Sequence, residues 1–298
     1  MLAPPAIPGD SLNLMDLGVP SRMAHVLARA CRGCAKRMLK LAASIGLIMM
    51  MTANASAAPV FKLKAPKEYF SDPATLALLK AALAGDLPTA KQLVAQGANP
   101  NDEGPKDNPY NRIRLLHYAI AANNAEAIRV LMAVGADPEL KAEGFGRAFL
   151  FAMTLENIEM LALLLDSRPI ATLSKDTLEY LLFESVSQPC QRCLELLLKR
   201  GAPIDFPDAS GYTIMMRAMD AQDYDMAEWI LLQGASVHIE GKGGMTPAYS
   251  AQYDLQKFKP GSPTHNKVLH FKELMEARGA KFPALSPAEV RAKRGAAK

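Results

Sequence analysis

A period of 33 residues runs through the chain and narrows what it can fold into. Gly-Ala pairs stand at Gly97-Ala98, Gly135-Ala136, Gly201-Ala202, Gly234-Ala235 and Gly279-Ala280, with spacings of 38, 66, 33 and 45 residues. These read as one period with a five-residue insertion, two periods, one period, and one period with a twelve-residue insertion. A second marker keeps step with the first. A small residue closes a short apolar run at Ala119, Ala152, Ser185, Ala218 and Ala251, each 33 residues beyond the last. Two registers that share one period mark a stack of supersecondary units, a solenoid.

The residues between the markers say what each unit is. Glycine just past an apolar helical run supplies the left-handed residue that ends a helix and satisfies its last carbonyls. Leu194, Leu197 and Leu198 fall at i, i+3 and i+4, and Ile128, Leu131 and Met132 repeat the spacing, so each second helix carries one apolar stripe. A helix pair this short cannot hide that stripe alone. Neighbouring units must stack to bury it, and the end units must be atypical so that the stack stops. The first unit, around Leu76 to Gln96, reads as such a cap, with Asp72-Pro73 to start its helix and polar Lys91 and Gln92 beside its apolar positions. A chain that is half hydrophobic yet only 6% aromatic suits helical repeats packed with Leu, Ala and Met.

The order of apolar run, polar corner, second apolar run and Gly-Ala resembles the ankyrin repeat. Its opening motif survives as Leu115-Leu116-His117-Tyr118-Ala119 and Thr246-Pro247-Ala248-Tyr249-Ser250-Ala251, and in part as Thr213-Ile214-Met215-Met216-Arg217-Ala218. Its closing motif survives as Leu93-Val94-Ala95-Gln96-Gly97-Ala98, Leu131-Met132-Ala133-Val134-Gly135-Ala136, Leu197-Leu198-Lys199-Arg200-Gly201-Ala202 and Leu231-Leu232-Gln233-Gly234-Ala235. One unit lacks its Gly-Ala, and Arg168 stands where the glycine is expected. The resemblance implies an all-α ankyrin-repeat solenoid of about six helix-turn-helix units over residues 72–282, with a linker at 58–71 and a basic flexible tail at 283–298. It also implies that His117 bonds backbone between neighbouring units.

Residues 1–57 read as an address label. Arg29, Arg32, Lys36, Arg37 and Lys40 precede an apolar stretch from Leu41 to Met51, followed by Ala55-Ser56-Ala57. A basic region, an apolar region of about 7–15 residues and a small-x-small site make a secretory signal peptide. The apolar stretch falls short of the roughly 20 residues that span a bilayer. Cleavage near Ala57 would give a periplasmic or secreted product with no membrane span. An uncleaved anchor is the alternative. Residues 58–298 carry 28 basic and 28 acidic residues, and this balance gives no ground for a nucleic-acid partner.

Export changes the reading of the cysteines, since only Cys190 and Cys193 remain beyond the signal. A Cys-x-x-Cys pair at a helix start, behind Pro189, is where a thiolate is stabilised by the helix end, which makes a disulfide or redox motif one reading. The other places Cys193 in the core and Cys190 at the helix start as structural residues, because free cysteine behaves as a small buried hydrophobe. No catalytic residue, metal site or cofactor motif is read from the rest. His238, His265 and His270 lack partners at metal-ligand spacing.

Recognition remains. In ankyrin-like proteins the turns and inner helices form a concave face that binds other proteins, and aromatic and Arg residues anchor interfaces. The candidates are Tyr110, Arg112 and Arg114 in the expanded first turn, Phe145 and Arg147 in the next, Phe206 and Tyr212 further on, and Tyr249 and Tyr253 in the last repeat. The expected function is a non-enzymatic adaptor, monomeric on its own, that binds a protein partner. Exported bacterial members of the family include stress-defence accessories and toxin-immunity partners, and the resemblance extends to either. A thiol-disulfide protein acting through Cys190 and Cys193 is the alternative.

Overall fold

The computed structural model describes residues 61–105, 112–188 and 190–296. The proposed signal region, its cleavage site and Tyr110 lie outside them. Among the described residues there are thirteen α-helices and no strand beyond a single bridge between Ala142 and Gly146. Twelve of the helices form six pairs: α1 (Pro73–Leu83) with α2 (Leu87–Ala95), α3 (Leu115–Ala121) with α4 (Ala125–Ala133), α5 (Ala148–Thr154) with α6 (Ile158–Ser167), α7 (Lys175–Ser187) with α8 (Gln191–Lys199), α9 (Ile214–Asp220) with α10 (Tyr224–Leu232), and α11 (Pro247–Lys257) with α12 (Pro263–Ala277). First helices pack on first helices along α3, α5, α7, α9 and α11, and second helices on second helices along α2, α4, α6 and α8. The six units expected from the period are present.

Both sequence markers have a structural cause. Ala119, Ala152, Ser185 and Ala218 are fully buried, and each offers its carbonyl to the N–H of a residue five positions on: Asn124, Asn157, Cys190 and Asp223. Those four residues, with Asp86 before them, are the N-caps of the second helices, and each side chain accepts from the N–H three residues along. The small residue therefore sits where one helix ends against the start of the next. At each of the five Gly-Ala pairs that mark the period the glycine has positive φ and bonds the carbonyl three back, while the alanine bonds the carbonyl five back and is buried. This is the paired bond of a Schellman ending. Nothing but Gly279's neighbour His238 lies within 4 Å of a Cβ added at these five glycines, so backbone angle rather than space selects glycine there.

The divergent unit ends differently. Arg168 caps α6 with φ −131° and a bond from its N–H to the Leu164 carbonyl, and Pro169 follows. The first unit behaves as the cap it was read to be: in α2 only Ala90 is buried, while Lys91 and Gln92 are exposed.

Two end segments differ from the sequence reading. The part of the linker that the structure describes is a strap on the repeats. Phe61 and Leu63 turn inward, Lys62 and Lys64 are turned outward, and Tyr69 and Phe70 are 2% and 1% exposed. Its apolar Phe61 and Leu63 alternate with exposed Lys62 and Lys64, a pattern too short to stand out beside the helical periods. The segment read as a flexible tail contains α13 (Pro287–Ala296), whose Val290 is buried. Arg294 donates to Glu240 and to the carbonyls of Gly241 and Lys242, and Arg291 donates to the Gly243 carbonyl. Its basic residues hold it to the turn of the last repeat instead of to solvent.

Candidate protein-binding face

The turns that connect the units are tied to one another before any side chain is free to recognise a partner. Asn101 accepts from the Asp137 N–H at 2.7 Å and donates to the Gly135 carbonyl, and Asp205 accepts from the Ser236 N–H at 3.0 Å. Arg114 donates to the Lys141 and Asn101 carbonyls and pairs with Glu103. Arg112 pairs with Glu103 and Glu143. His117, buried in α3 just after Arg114, has its Nε2 3.1 Å from the Gly146 carbonyl, the bond between neighbouring units that the resemblance implies. Burial holds its pKa down at about 4, helped by the nearby Arg114 charge and opposed by the Gly146 bond.

Three grooves lie on the side formed by first helices and turns. The largest, about 920 Å³, runs from Phe61 past Phe145, Leu150 and Phe151 to Tyr180, with Arg112 and Lys141 on its rim. Phe61 sits edge-on to Phe145 and Phe151, with ring centroids 5.7 and 5.3 Å away, and Phe145 and Phe151 are themselves edge-to-face at 5.6 Å. A second groove of about 320 Å³ shares Lys141 and Tyr180 with the first and adds Arg147, Phe183, Asp208 and Arg217. The Arg147 guanidinium lies 6.0 Å from the centre of the Tyr180 ring, and that of Arg217 lies 5.7 Å from Phe183. A third, about 450 Å³, holds Tyr249 and Tyr253 with Asp220 and Asp254, and is closed at one end by Pro287 of α13. Burial pushes the Asp220 carboxyl up, against the pull of Arg217 and with the push of Asp254.

The candidate residues therefore separate. Phe145, Arg147, Tyr249 and Tyr253 line grooves. Arg112 lines one but is engaged in two ion pairs, and Arg114 clamps turns. Phe206 packs against the core, and Tyr212 lies over Gly241, where an added Cβ would come within 2.9 Å of its ring. The sequence reading missed Phe61, Phe151 and Tyr180. Phe151 had a signal, because it stands 33 residues after Tyr118 and immediately before the buried Ala152. Cys190 and Cys193 are joined in a disulfide at the start of α8, with Cys193 fully buried and Cys190 half-buried. Among the described residues no His, Cys, Asp and Glu group has the geometry to hold a metal ion, and no helix is long and apolar enough to cross a membrane.

Comparison with known proteins agrees with this architecture. The family model for ankyrin repeats, three copies, matches residues 78–176. The mouse B-cell lymphoma 3 protein homolog is 29% identical over 141 residues, covering 46% of this chain and 32% of its own length. The human B-cell lymphoma 3 protein is 29% identical over 180 residues, covering 57% and 38%. The chain thus spans about a third of the length of the curated relatives it matches. The crystal structure of the ankyrin repeat domain of Bcl-3, a member of the IkappaB protein family, superposes with a TM-score of 0.52 at 24% identity, over 72% of this chain and 92% of that one, a likeness of fold. Residues 78–176 match ankyrin repeats, and the helix pairs from α1 to α12 stack in the fold of an ankyrin-repeat solenoid.

Proposed function

We propose that this chain is a non-enzymatic scaffold or adaptor that binds a protein partner through its first helices and inter-repeat turns. One observation carries the reading. The grooves on that side leave large aromatic side chains in reach of solvent, Tyr180 at 41% and Tyr253 at 56%, whereas every other described Phe, Tyr and Trp is buried or half-buried. Exposed aromatics in a rigid concave site are the usual anchors of a protein interface. The test is affinity capture of the tagged chain from its native host, with mass spectrometry of what co-elutes. A stoichiometric protein, lost on Phe145→Ala with Tyr180→Ala while the helical circular dichroism of the repeats is kept, supports the reading. Capture that survives this double change would move the site elsewhere, and a clean column would remove the adaptor role.

Export is part of the proposal. A disulfide persists in oxidising compartments, and the bonded Cys190 and Cys193 fit a periplasmic or secreted product. Amino-terminal mass spectrometry of the mature protein tests this, with a start near Ala58 as the expected result. Stress-defence and toxin-immunity roles would both use the same face. The alternative, a thiol-disulfide protein, draws on the same pair, whose half-buried Cys190 stands at a helix start. Turnover in an insulin-reduction assay that disappears in Cys190→Ala would favour it over the adaptor.

A further inference from the structure

The first two grooves meet at Lys141 and Tyr180, and Arg147 stands at that junction. Arg147 is half-buried, its Nε is fully buried without an acceptor, and its guanidinium makes no hydrogen bond or ion pair with any described residue. The other half-buried arginines among the described residues are all engaged: Arg112 and Arg114 with Glu103, Arg217 with Asp208, Arg294 with Glu240. A desolvated donor without an acceptor is costly, and a ligand that brings an acceptor recovers that cost. A carboxylate matches the planar guanidinium best, and Lys141, exposed and without an ion pair among the described residues, adds a second positive charge to the lining of the same groove. Asp176 and Glu179 of α7 also line the second groove and repel an acid from that side, which leaves the side of Arg147 and Lys141 for it.

The strap shows what form of ligand the neighbouring face accepts. Its apolar Phe61 and Leu63 turn inward at alternate positions, the pattern of an extended segment, and Ala65 has extended backbone angles. The Tyr118 hydroxyl of α3 donates to the Lys64 carbonyl at 3.1 Å, so the repeats read the strap's backbone there while Phe145 and Phe151 read an aromatic ring. Beyond Phe61 the large groove is lined by Leu150 and Tyr180, with no described residue filling it.

We propose that the junction at Arg147 and Lys141 is a carboxylate-binding subsite. The partner, on this account, presents an extended segment in which Asp or Glu lies within a few residues of a large apolar side chain. The apolar group enters the open groove and the acid caps Arg147. This rests on the protein-binding reading above and specifies its ligand.

The test is selection of a phage-displayed random dodecapeptide library on the full chain, followed by affinity measurement with the best synthetic peptide. Enriched peptides should pair a large apolar residue with a nearby acid. Arg147→Gln should weaken the peptide about tenfold, the scale of one charge-assisted contact. Replacing the peptide's acid by its amide should cost a similar factor, and the two changes together should cost little more than either alone. Arg147→Gln should leave the melting temperature within a few degrees of wild type, since it removes no intramolecular hydrogen bond or ion pair and only the contact with the Tyr180 ring. Enrichment without an acid, equal binding by Arg147→Gln, additive losses or an absence of binders would each overturn the subsite. The adaptor reading is judged separately, by whether a protein co-purifies from the host with the Phe145- and Tyr180-dependence stated above.

Discussion

Arg168 occupies the position where the other units carry glycine, and its guanidinium reaches Glu139 of the preceding turn at 3.1 Å. Glu139 is only 12% exposed and gathers more than this one partner. It accepts from the Ser174 N–H at 3.0 Å, from the Ser174 hydroxyl, and from the Thr177 hydroxyl at 2.6 Å. One carboxylate thus ties the end of α6 to the start of α7 across the unit that lacks the regular helix ending. The divergent repeat is a bonded joint rather than a gap in the stack.

Replacing Glu139 by Ala strands Ser174, Thr177 and Arg168 together, and should lower stability by about 2 kcal/mol, the scale of lost hydrogen bonds to a charged group. Hydrogen exchange should quicken from Arg168 to Leu178 more than in α9 and α10. Burial pushes this carboxyl up, but the bonds from Ser174, Thr177 and Arg168 outweigh it and hold the pKa at about 2. A carboxyl depressed by folding stabilises above its unfolded pKa, and loses that contribution as pH falls from about 4.5 toward 2. The acid limb of the wild-type stability curve should therefore flatten in Glu139→Gln.

His117 governs the window above it. Folding keeps its imidazole neutral down to about 4, whereas the unfolded chain takes up a proton below about 6.5. The unfolded state then binds more protons between those values, so stability falls as pH falls from 6.5 to 4, by at most about 1.4 kcal/mol per pH unit for one proton. Below that window the histidine contribution is flat. Subtracting the urea-unfolding curve of His117→Gln from that of the wild type should isolate this slope. A difference curve level from pH 7 to pH 4 would contradict the buried neutral imidazole.

Much of this molecule was written in its period. The small residue at Ala119, Ala152 and Ala218 and the Gly-Ala pairs could be read because each answers a backbone demand that recurs in every unit. The strap and α13 answer to single contacts instead: Phe61 to Phe145 and Phe151, Arg294 to Glu240. Nothing repeats there, so periodicity was silent and composition misled, reading a linker and a tail. The candidate face was half legible for a related reason. Turn position marked Phe145, Arg147, Tyr249 and Tyr253, but whether an arginine is free depends on the neighbouring turn: Glu103 engages Arg112 and Arg114 and leaves Arg147 alone.

The cysteines can be separated from the scaffold. Cys190 occupies the N-cap that Asp86, Asn124, Asn157 and Asp223 fill in other units, and its Sγ lies 3.3 Å from the Cys193 N–H. Cys190→Asp with Cys193→Ala supplies a better cap and keeps a small apolar residue at the buried site. A cap of this kind contributes about 1 kcal/mol, against the loss of a short disulfide loop. The variant should keep its helical circular dichroism and its captured partner while showing no disulfide in non-reduced peptide mapping. Loss of the partner with the fold intact would turn attention to the thiol-disulfide alternative.

Gly244 tests whether α13 is docked on the last repeat. Its φ is +86°, and an added Cβ would stand 2.4 Å from the Pro287 carbonyl oxygen, a backbone atom that cannot rotate away. Gly243, its neighbour, has open space around the same position. Gly244→Ala must therefore strain its own backbone and push the start of α13 off, at about 1–3 kcal/mol, whereas Gly243→Ala meets no such contact. Hydrogen exchange should show residues 287–296 losing protection in the first variant and keeping it in the second, with α9 and α10 unchanged in both. Because Pro287 also closes the third groove beside Tyr253, a peptide or partner seated there should bind differently to Gly244→Ala while the Arg147 junction responds as in wild type. Equal protection of α13 in the two variants would mean that its arginines alone hold it, and Arg294→Ala would then release it without any change at Gly244.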